Sequence, residues 1–342
     1  MDQQTKKTLV IIIGLLGLLF CYTNFSSKCP CKERISYDTI DINKELDLNS
    51  LFQSADSLEL AAIKADWQDF SAASDSFSII KEMDYAIDRK LLIIAQYAEG
   101  RKHYGAIIFP YQYDDRQKYP LLLWANGLNQ QDPTSYMEDG FRKHLYADLN
   151  NYFILIPAYR GQALSAYGKR YCADGFFGDA FDGATDDALR LLDLAKTEFK
   201  GVDKRRIAVW GVSRGGTVAL LMGARDTTIN TIISQSGPVN FFAKAVYQRY
   251  NFQYKYQFFS KKEPIARIRA KILKSSPIYF IKNYPNRLMI AHGRNDQLVP
   301  IANANQLIKK MSNNQQVTTL IDDSGHRFNQ MNQLADWLKI IN

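Results

Sequence analysis

A serine set among glycines carries the strongest chemical signal in this sequence. Ser213 stands in the run Gly211-Val212-Ser213-Arg214-Gly215-Gly216, after the apolar segment 207–210 and before the helical pattern 217–223. The motif alone occurs by chance, but between a strand and a helix it is typical of a sharp turn that exposes a strained nucleophilic serine. Glycine is needed there because neighbouring side chains would collide. The run therefore predicts acyl transfer through Ser213, with helix N-terminal N–H groups near the developing oxyanion.

A serine hydroxyl needs a base, and the sequence has 4 histidines. His103 is predicted in a hairpin turn and His144 in a surface helix, and both precede Ser213, whereas the histidine follows the serine in chains with this turn. His292 ends a predicted strand, where it is interpreted as a packing or capping residue. His326 stands beside a glycine in a loop just after a predicted strand, and the glycine lets the loop turn the imidazole toward the sheet edge. His326 is therefore the predicted general base.

The acid that orients the histidine should lie at the carboxyl end of a strand, between the serine and the histidine in sequence. Asp296 meets both conditions, four residues after the apolar run 288–292. Its predicted role is to hold the imidazole tautomer and to stabilise the imidazolium. Asp322 and Asp323 are the competing acids, but they are so near His326 in sequence that they are interpreted as solvated loop charges.

An oxyanion hole needs two hydrogen-bond donors. The first predicted donor is the backbone N–H of Arg214, the residue after the nucleophile. The second is expected from the turn after the strand 121–125, where either the backbone N–H of Leu128 or the side chain of Asn126 is the candidate. A plain Asn-Gly turn without a catalytic role remains the alternative.

These residues need a scaffold, and the pattern of apolar runs indicates which one. From residue 90 onward, strand-length apolar runs alternate with amphipathic helical stretches, which predicts a mainly parallel twisted sheet flanked by helices and buried on both faces. The first two runs are too close for a crossover helix and predict a hairpin. The clearest helix spans 184–199, and Gly201 is its stop signal. The predicted strands are 91–97, 105–109, 121–125, 153–157, 207–210, 231–234 and 288–292.

The N-terminal region differs from the rest of the chain. Lys6 and Lys7 precede the run Leu9–Tyr22, which contains no charge. This pattern predicts a signal peptide or signal anchor over residues 1–25, because the run is short for a membrane span. Lipidation at Cys21 is an alternative, although Phe20 stands where a small side chain is preferred. We therefore expect an exported protein, either anchored to the membrane or periplasmic or extracellular.

The remaining chain divides into two predicted parts. Residues 26–89 are predicted to be a polar spacer with a covering helix near 56–70, and residues 90–342 form the predicted catalytic domain. An insertion at about 240–285 is predicted to be a small cap. Its aromatic rings indicate either a lid over the substrate pocket or a cap that packs on itself. The rings belong to Phe241, Phe242, Tyr247, Tyr250, Phe252, Tyr254, Tyr256, Phe258 and Phe259.

Composition excludes several other classes of protein. The chain has 342 residues and a formal net charge of +8, but its lysines and arginines are scattered, so no nucleic-acid partner is expected. The densest basic stretch is interpreted as a solvated helix face and contains Arg267, Arg269, Lys271 and Lys274. The 4 cysteines make no disulfide framework or zinc site, since Cys172 stands alone in the sequence. No metal or organic cofactor is expected.

Taken together, the ordered motifs resemble the catalytic domains of the prolyl-oligopeptidase-like (S9) peptidases and the related dienelactone-hydrolase-like esterases. The matching segments include Pro157-Ala158-Tyr159-Arg160-Gly161, Ser276-Pro277, His292-Gly293-Arg294-Asn295-Asp296 with Val299-Pro300, and Ser324-Gly325-His326, in addition to the serine turn. The resemblance covers about residues 90–342. It implies an α/β-hydrolase fold, a Ser213–Asp296–His326 triad and a peptide substrate, and it places Asn126 where the family's oxyanion tyrosine would stand. No propeller-like segment precedes the domain here, so a carboxylesterase is the alternative, and a non-catalytic binding protein of the same fold is a second one.

Overall fold

A computed structural model describes residues 46–86, 88–129, 132–137, 149–259 and 261–340. The predicted N-terminal apolar segment and the predicted helix around His144 lie outside this part of the chain. Over the described residues, the helices are α1 (Leu48–Leu51), α2 (Ser57–Gln68), α3 (Asp182–Glu198), α4 (Arg214–Arg225), α5 (Lys244–Gln257), α6 (Ile265–Lys274), α7 (Ala302–Lys310) and α8 (Met331–Lys339). Two short 3₁₀ helices, Pro277–Tyr279 and Ile281–Asn283, follow α6.

The described strands form a nine-stranded sheet and a small three-stranded one. The large sheet has the order β1-β2-β3-β6-β4-β9-β10-β11-β12, and the small one has the order β5-β7-β8. Strands β6, β4, β9, β10, β11 and β12 run parallel, while β1, β2 and β3 are antiparallel. The mainly parallel sheet predicted from sequence is confirmed. The bounds are β1 Ser76–Ala86, β2 Arg89–Ala98, β3 Arg101–Ile108, β4 Tyr119–Ala125, β5 Thr134–Tyr136, β6 Phe153–Ala158, β7 Ala163–Ala166, β8 Lys169–Cys172, β9 Val202–Val212, β10 Thr231–Gln235, β11 Arg287–Gly293 and β12 Val317–Asp322.

Both faces of the large sheet are buried, as continuous apolar strands require. On one face, α3, α4 and α7 pack Leu191, Val218 and Leu307 onto the strands. On the other face, α8 contributes Leu334 and Leu338. All seven residues of the central strand β4 are buried. The sheet therefore holds the carboxyl ends of its strands in fixed positions, where loops can carry reactive groups.

The prediction of a polar spacer over residues 26–89 is wrong for residues 76–86, which form strand β1. Strand β1 is the edge of the large sheet and pairs antiparallel with β2, with an irregularity in register between Ile79 and Lys81. Its apolar side chains remain partly in solvent, and Phe77 and Ile79 are exposed. Only Met83 and Tyr85, near the end of the strand, pack on the core, so its sequence gives neither a continuous apolar run nor a clean alternation along its length, which explains why the sequence did not reveal it.

The predicted hairpin is confirmed, but the predicted position of His103 is wrong. The turn consists of Glu99 and Gly100, both with positive φ, so His103 lies within β3 and is 1% exposed. Its Nδ1 atom is 3.4 Å from the buried carboxylate of Asp187 on α3. Burial lowers the pKa of His103. Strand β3 begins with polar residues, so its apolar pattern predicts a strand that starts only at residue 105.

The basic stretch on α6 is not simply a solvated face. The guanidinium of Arg269 forms an ion pair with Glu59 of α2 and donates hydrogen bonds to the backbone carbonyls of Ser50, Leu51 and Ser54. Lys274 also pairs with a carboxylate of α2. Arg267 is exposed, as predicted for the whole stretch. The basic groups of α6 therefore fasten the N-terminal helices to the insertion.

Most of the aromatic rings in the insertion pack on one another and on α1 and α2. The rings of Phe242, Tyr254 and Phe259 are buried in one cluster with Leu51 and Ile63. This arrangement favours the self-packing cap over a freely exposed aromatic lid. The covering helix predicted near 56–70 is confirmed as α2, which begins with a capping box formed by Asp56 and Glu59.

Cys172 at the end of β8 is disulfide-bonded, so its interpretation as an isolated cysteine is wrong. Among the described residues, no helix combines the length and apolar character needed to cross a membrane.

Candidate active site

The turn at Ser213 has the geometry that its glycines predict. Ser213 joins β9 to α4 with φ 56° and ψ −122°, a strained conformation for a residue with a side chain. A Cβ atom on Gly211 would lie 1.8 Å from the Gly215 carbonyl oxygen, and one on Gly215 would lie 1.9 Å from the carbonyl oxygen of Ala125. The backbone can pack this closely only because both residues are glycine. The turn is held further by the Ser213 N–H, which donates to Gln235 O at 2.8 Å.

The predicted acid and base are in direct contact. His326 Nδ1 donates a hydrogen bond to Asp296 Oδ2 over 2.8 Å. Asp296 is 4% exposed, and its other oxygen accepts from the N–H groups of Leu298 at 2.9 Å and Val299 at 2.8 Å. A carboxylate fixed on both oxygens holds the imidazole with Nδ1 protonated, so Nε2 is left as the proton acceptor.

Backbone contacts join the loop of Asp296 to the loop of His326. The N–H of Arg294 donates to Asp322 O at 2.7 Å, and the N–H of Asn295 donates to Ser324 O at 3.0 Å. A Cβ atom on Gly293 would lie 2.3 Å from that same Ser324 oxygen. The two loops follow the adjacent parallel strands β11 and β12, so the sheet register brings them together. The acid and the base are therefore positioned by the fold itself.

The serine turn lies near this pair through the order of the strands. Strand β10 lies between β9, which ends at the serine turn, and β11, which leads to Asp296. The hydrogen bonds of the described residues join His326 to Asp296 but not to Ser213. Catalytic hydrogen bonds of this kind are often long before substrate binds.

The competing acids make other contacts. Asp322 accepts hydrogen bonds from the N–H and hydroxyl groups of Ser324, and Asp323 forms an exposed ion pair with Arg294 at 2.9 Å. Neither carboxylate contacts His326 in the described hydrogen bonds. This agrees with their interpretation as loop charges rather than orienting acids.

His292 is a second histidine in the site, which the sequence analysis interpreted as a packing residue. It is 1% exposed and its Nε2 donates to Val299 O at 2.7 Å. The same atom is 3.6 Å from Asp296 Oδ2. Burial lowers the pKa of His292, which favours the neutral ring. His292 therefore packs against the back of the acid and supports the loop 296–299.

The turn after β4, which carries the candidate oxyanion donors Asn126 and Leu128, lies beside the serine. A Cβ atom on Gly127 would be 3.7 Å from Ser213 Cβ, so the turn after β4 contacts the nucleophile. The amide nitrogen of Asn126 donates to Pro157 O at 3.3 Å, and Asn126 is 3% exposed. Because this contact directs the Asn126 amide toward the backbone of β6, the geometry favours the Leu128 N–H as the second donor. The Arg214 N–H belongs to the first turn of α4, where N–H groups have no partner within the helix.

Sequence reasoning missed the side chain of Arg214. Its guanidinium is 2% exposed and donates to Asn126 O at 3.1 Å, to Gly127 O at 2.8 Å and to Gln162 Oε1 at 3.2 Å. It also lies over the ring of Tyr159, 4.4 Å from the centroid. Gln162 directly follows the motif segment Tyr159-Arg160-Gly161, but nothing in that segment of the sequence indicates that Gln162 contacts Arg214.

The cap reaches the acid loop through α5. Tyr250 Oη donates to Leu298 O at 2.8 Å, and Arg249 donates to Gln297 O at 3.2 Å. The backbone of α5 is non-helical at Tyr250, which marks a kink at this contact. A cavity of about 950 Å³ lies elsewhere, between the β1–β2 edge and Tyr113, and none of the six predicted site residues lines it.

No group of three or more histidine, cysteine or acidic side chains suited to a metal ion occurs in the part of the chain that the structure describes. The reactive groups found here are a serine, a histidine–carboxylate pair and backbone N–H groups. Such a set supports nucleophilic catalysis of acyl transfer.

The sheet order, the strained serine turn and the position of the acid after β11 define the α/β-hydrolase fold. Comparisons with known proteins agree. The model of the prolyl oligopeptidase family matches residues 140–341, which is more than half of the chain. This protein therefore belongs to the prolyl oligopeptidase family, and the resemblance noted from sequence is confirmed.

Similar proteins include peptidases and esterases. The chain is 23% identical over 286 residues to the uncharacterized peptidase YuxL of Bacillus subtilis, covering 78% of this chain and 41% of that protein. It is 23% identical over 202 residues to dipeptidyl-peptidase 5 of Porphyromonas endodontalis, covering 58% of this chain and 28% of that protein. It thus spans less than half the length of both curated relatives.

Among solved structures, acetyl xylan esterase 1 from Thermoanaerobacterium sp. JW/SL YS485 superimposes with a TM-score of 0.61 and 17% identity. The match covers 87% of this chain and 99% of that one. At this identity the likeness establishes the fold alone.

Proposed function

We propose that this protein is a serine hydrolase that works through an acyl-enzyme on Ser213, with His326 as general base and Asp296 as the orienting acid. The observation that carries the proposal is the 2.8 Å hydrogen bond between His326 Nδ1 and Asp296 Oδ2. It lies at the carboxyl ends of neighbouring strands, at the same edge of the sheet as a serine held at φ 56°. Neither a packing histidine nor a plain turn requires this combination.

The mechanism follows from the directions of these groups. Ser213 Oγ attacks the substrate carbonyl carbon while its proton passes to His326 Nε2, and Asp296 stabilises the imidazolium that forms. The carbonyl oxygen becomes an oxyanion, which the N–H groups of Arg214 and Leu128 receive. The imidazolium then returns the proton to the leaving amine or alcohol. Water repeats the sequence on the acyl-enzyme, so that Ser213 is restored and the acid product is released.

The favoured substrate is a peptide. Family membership supports this choice, and so does similarity to dipeptidyl-peptidase 5 of Porphyromonas endodontalis. The action of a serine peptidase on an acyl-amide bond needs an imidazolium that protonates the leaving amine, and the buried Asp296 carboxylate supplies the charge that stabilises it.

A carboxylesterase is the second candidate. Its support is that the described strands all belong to the nine-stranded or three-stranded sheet, so this part of the chain contains no β-propeller. The match to the acetyl xylan esterase, which shares the fold, covers 99% of the length of that esterase.

The protein is further proposed to act outside the cytoplasm, with residues 1–25 as signal peptide or anchor and with membrane association through this N-terminal segment. The disulfide at Cys172 supports export, because disulfides persist in oxidising compartments. Membrane association rests on the sequence pattern of the N-terminus.

The test compares turnover of p-nitrophenyl acyl esters with turnover of proline- and alanine-anilides, for the wild type and for Ser213→Ala. Hydrolysis of anilides supports the peptidase, since amide cleavage demands leaving-group protonation, whereas hydrolysis of esters alone supports the carboxylesterase. The Ser213→Ala protein should retain its fold and lose turnover of both. Undiminished turnover by Ser213→Ala would overturn the proposal, and no turnover by the wild type would favour a non-catalytic binding protein.

A further inference from the structure

Arg214 presents two different groups to the two sides of the candidate oxyanion hole. Its backbone N–H is the predicted donor next to the nucleophile. Its side chain turns into the protein and hydrogen-bonds the carbonyls of Asn126 and Gly127, the two peptide groups on the other side of the hole. One residue therefore contacts both halves of the hole, through atoms with different chemistry.

Peptide geometry links the guanidinium to the second donor. In a planar trans peptide the C=O and N–H bonds point in opposite directions, and the described chain has no cis peptide bonds. The Gly127 carbonyl, directed at Arg214 Nη2 over 2.8 Å, belongs to the same peptide as the Leu128 N–H. Fixing that oxygen therefore fixes the direction of the Leu128 N–H, which must point away from the guanidinium.

The guanidinium is itself held firmly. The Tyr159 ring lies 4.4 Å from its carbon, and Gln162 Oε1 accepts from Nη2 at 3.2 Å. Arg214 forms no ion pair among the described residues: the Asp187 carboxylate, whose charge raises the pKa of Arg214, pairs with Arg160 instead. Burial lowers the pKa of Arg214 to about 10, and the group is still a cation at neutral pH. A buried cation on a peptide oxygen polarises the peptide and strengthens its N–H as a donor.

We propose that the Arg214 side chain is a positioning residue for catalysis: it orients and polarises the Gly127–Leu128 peptide so that the Leu128 N–H stabilises the oxyanion. The proposal rests on the proposed hydrolase function. A purely structural clamp would instead stabilise the fold without distinguishing the transition state from the bound substrate. The two roles differ in what they predict for kcat and for the affinity of tetrahedral mimics.

The test uses Arg214→Met and Arg214→Lys in the full-length protein, with p-nitrophenyl acetate as substrate and an aryl trifluoromethyl ketone as tetrahedral mimic. Loss of an oxyanion donor lowers kcat about 100- to 1000-fold, so a misdirected donor in Arg214→Met should lower kcat about 10- to 100-fold. KM should change less than about threefold, and the ketone should bind more weakly in proportion to the loss of kcat/KM. Lysine keeps the charge but lacks the planar fork, so Arg214→Lys should recover part of the loss.

Arg225→Met is the matched control. Arg225 ends the same helix, is similarly buried and pairs with Asp182 and Asp186. It lies about 16 Å along the helix from Arg214, given a rise of about 1.5 Å per residue. This variant should lose stability and keep its kcat per folded molecule. Thermal midpoints for all variants separate unfolding from catalysis.

The outcomes are distinct from those of the proposed function. A wild type that neither turns over substrate nor labels at Ser213 contradicts the hydrolase itself. An active wild type with kcat and ketone affinity unchanged in Arg214→Lys and Arg214→Met overturns only the positioning role, as does a loss confined to KM. If Arg214→Met does not fold, Arg214→Lys decides. Lysine lacks the planar fork, so kcat and ketone affinity must fall together in this variant, by a smaller factor than predicted for Arg214→Met, and unchanged values overturn the positioning role.

Discussion

At the scale of single residues, the site depends on how firmly one carboxylate is held. Asp296 is buried, accepts two backbone N–H groups on one oxygen and receives His326 Nδ1 on the other. Such a carboxylate cannot rotate away from the imidazole without losing bonds. The carboxylate oxygen is therefore directed at the base before any substrate binds.

Asp296→Asn tests this role. An asparagine can keep the shape and accept the loop N–H groups, but it cannot stabilise the imidazolium and it favours the wrong tautomer. We expect kcat to fall by about 10⁴, the loss that serine–histidine–aspartate triads show for this change, with the thermal midpoint changed little. Asp323→Asn is the control, because that carboxylate is exposed and pairs only with Arg294 in the described contacts. Steady-state kinetics on the better of the two substrate classes decides, and equal activity in both variants would contradict the assignment.

The reactive residues were accessible to sequence reasoning because each stands where local rules apply. Ser213 is marked by glycines that only a tight turn requires, and Asp296 and His326 follow apolar strands in the necessary order. The guanidinium of Arg214 was not accessible, since its partners Gln162 and Gly127 are 52 and 87 positions away in sequence. No periodicity or motif reports a contact formed by tertiary packing.

At the scale of elements, α6 fastens the N-terminal helices to the cap. Arg269→Met removes the ion pair with Glu59 and leaves the carbonyls of Ser50, Leu51 and Ser54 without their donor. We expect a loss of about 1–2 kcal/mol in the local stability of α1 and α2, because a partly exposed ion pair and several hydrogen bonds to a charged donor are lost. Hydrogen exchange followed by mass spectrometry should show faster exchange over residues 48–68.

Arg267→Met on the same helix is the control, since Arg267 is exposed. It should leave exchange over 48–68 unchanged. Equal protection of α1 and α2 in the wild type and in Arg269→Met would show that the apolar contacts of the cap suffice without the arginine. The sequence could not reveal this role, because Arg269 and Glu59 are 210 positions apart.

The first turns of α3 carry a buried acidic cluster that affects the stability of the fold in a pH-dependent way. Asp186 forms an ion pair with Arg225 at 2.7 Å. Burial nevertheless raises the pKa of Asp186 to about 7, and the negative charge of Asp182 is the second-largest cause of this increase. A folded-state pKa above the ordinary value of 3.8 means that the folded protein binds the proton more tightly than the unfolded chain. This group's contribution to stability is therefore complete at low pH and is lost as pH rises through about 7.

Asp186→Asn should raise the free energy of unfolding at pH 8 by about 1 kcal/mol, a value reduced from the full linkage because arginines and solvent screen the charge. The gain should shrink at pH 5.5, where the wild-type carboxyl is mostly protonated in the folded state. Urea denaturation at the two pH values measures both differences. Asp193→Asn on the same helix is the control, and a gain of the same size at both pH values would refute the titration of Asp186.

At the scale of the whole molecule, the parallel sheet is what assembles the site. The serine turn follows β9, the acid follows β11 and the histidine follows β12, so that residues far apart in sequence meet at one edge. Continuous apolar runs made this sheet predictable, whereas the edge strand β1, with Phe77 and Ile79 exposed, gave no such signal. Buried strands are recognisable in the sequence as continuous apolar runs, whereas edge strands and side-chain hydrogen-bond networks leave no such pattern.

The most direct test of whether Ser213, His326 and Asp296 form a catalytic triad is covalent labelling of the protein with a fluorophosphonate probe. The modified peptide is then located by mass spectrometry. We expect a single label on Ser213, because only a serine activated by a base and served by an oxyanion hole reacts with such a probe. The label should be absent in His326→Ala protein that remains folded by circular dichroism. A folded wild type that is not labelled, or a label that persists undiminished in His326→Ala, would contradict the claim that Ser213, His326 and Asp296 act together.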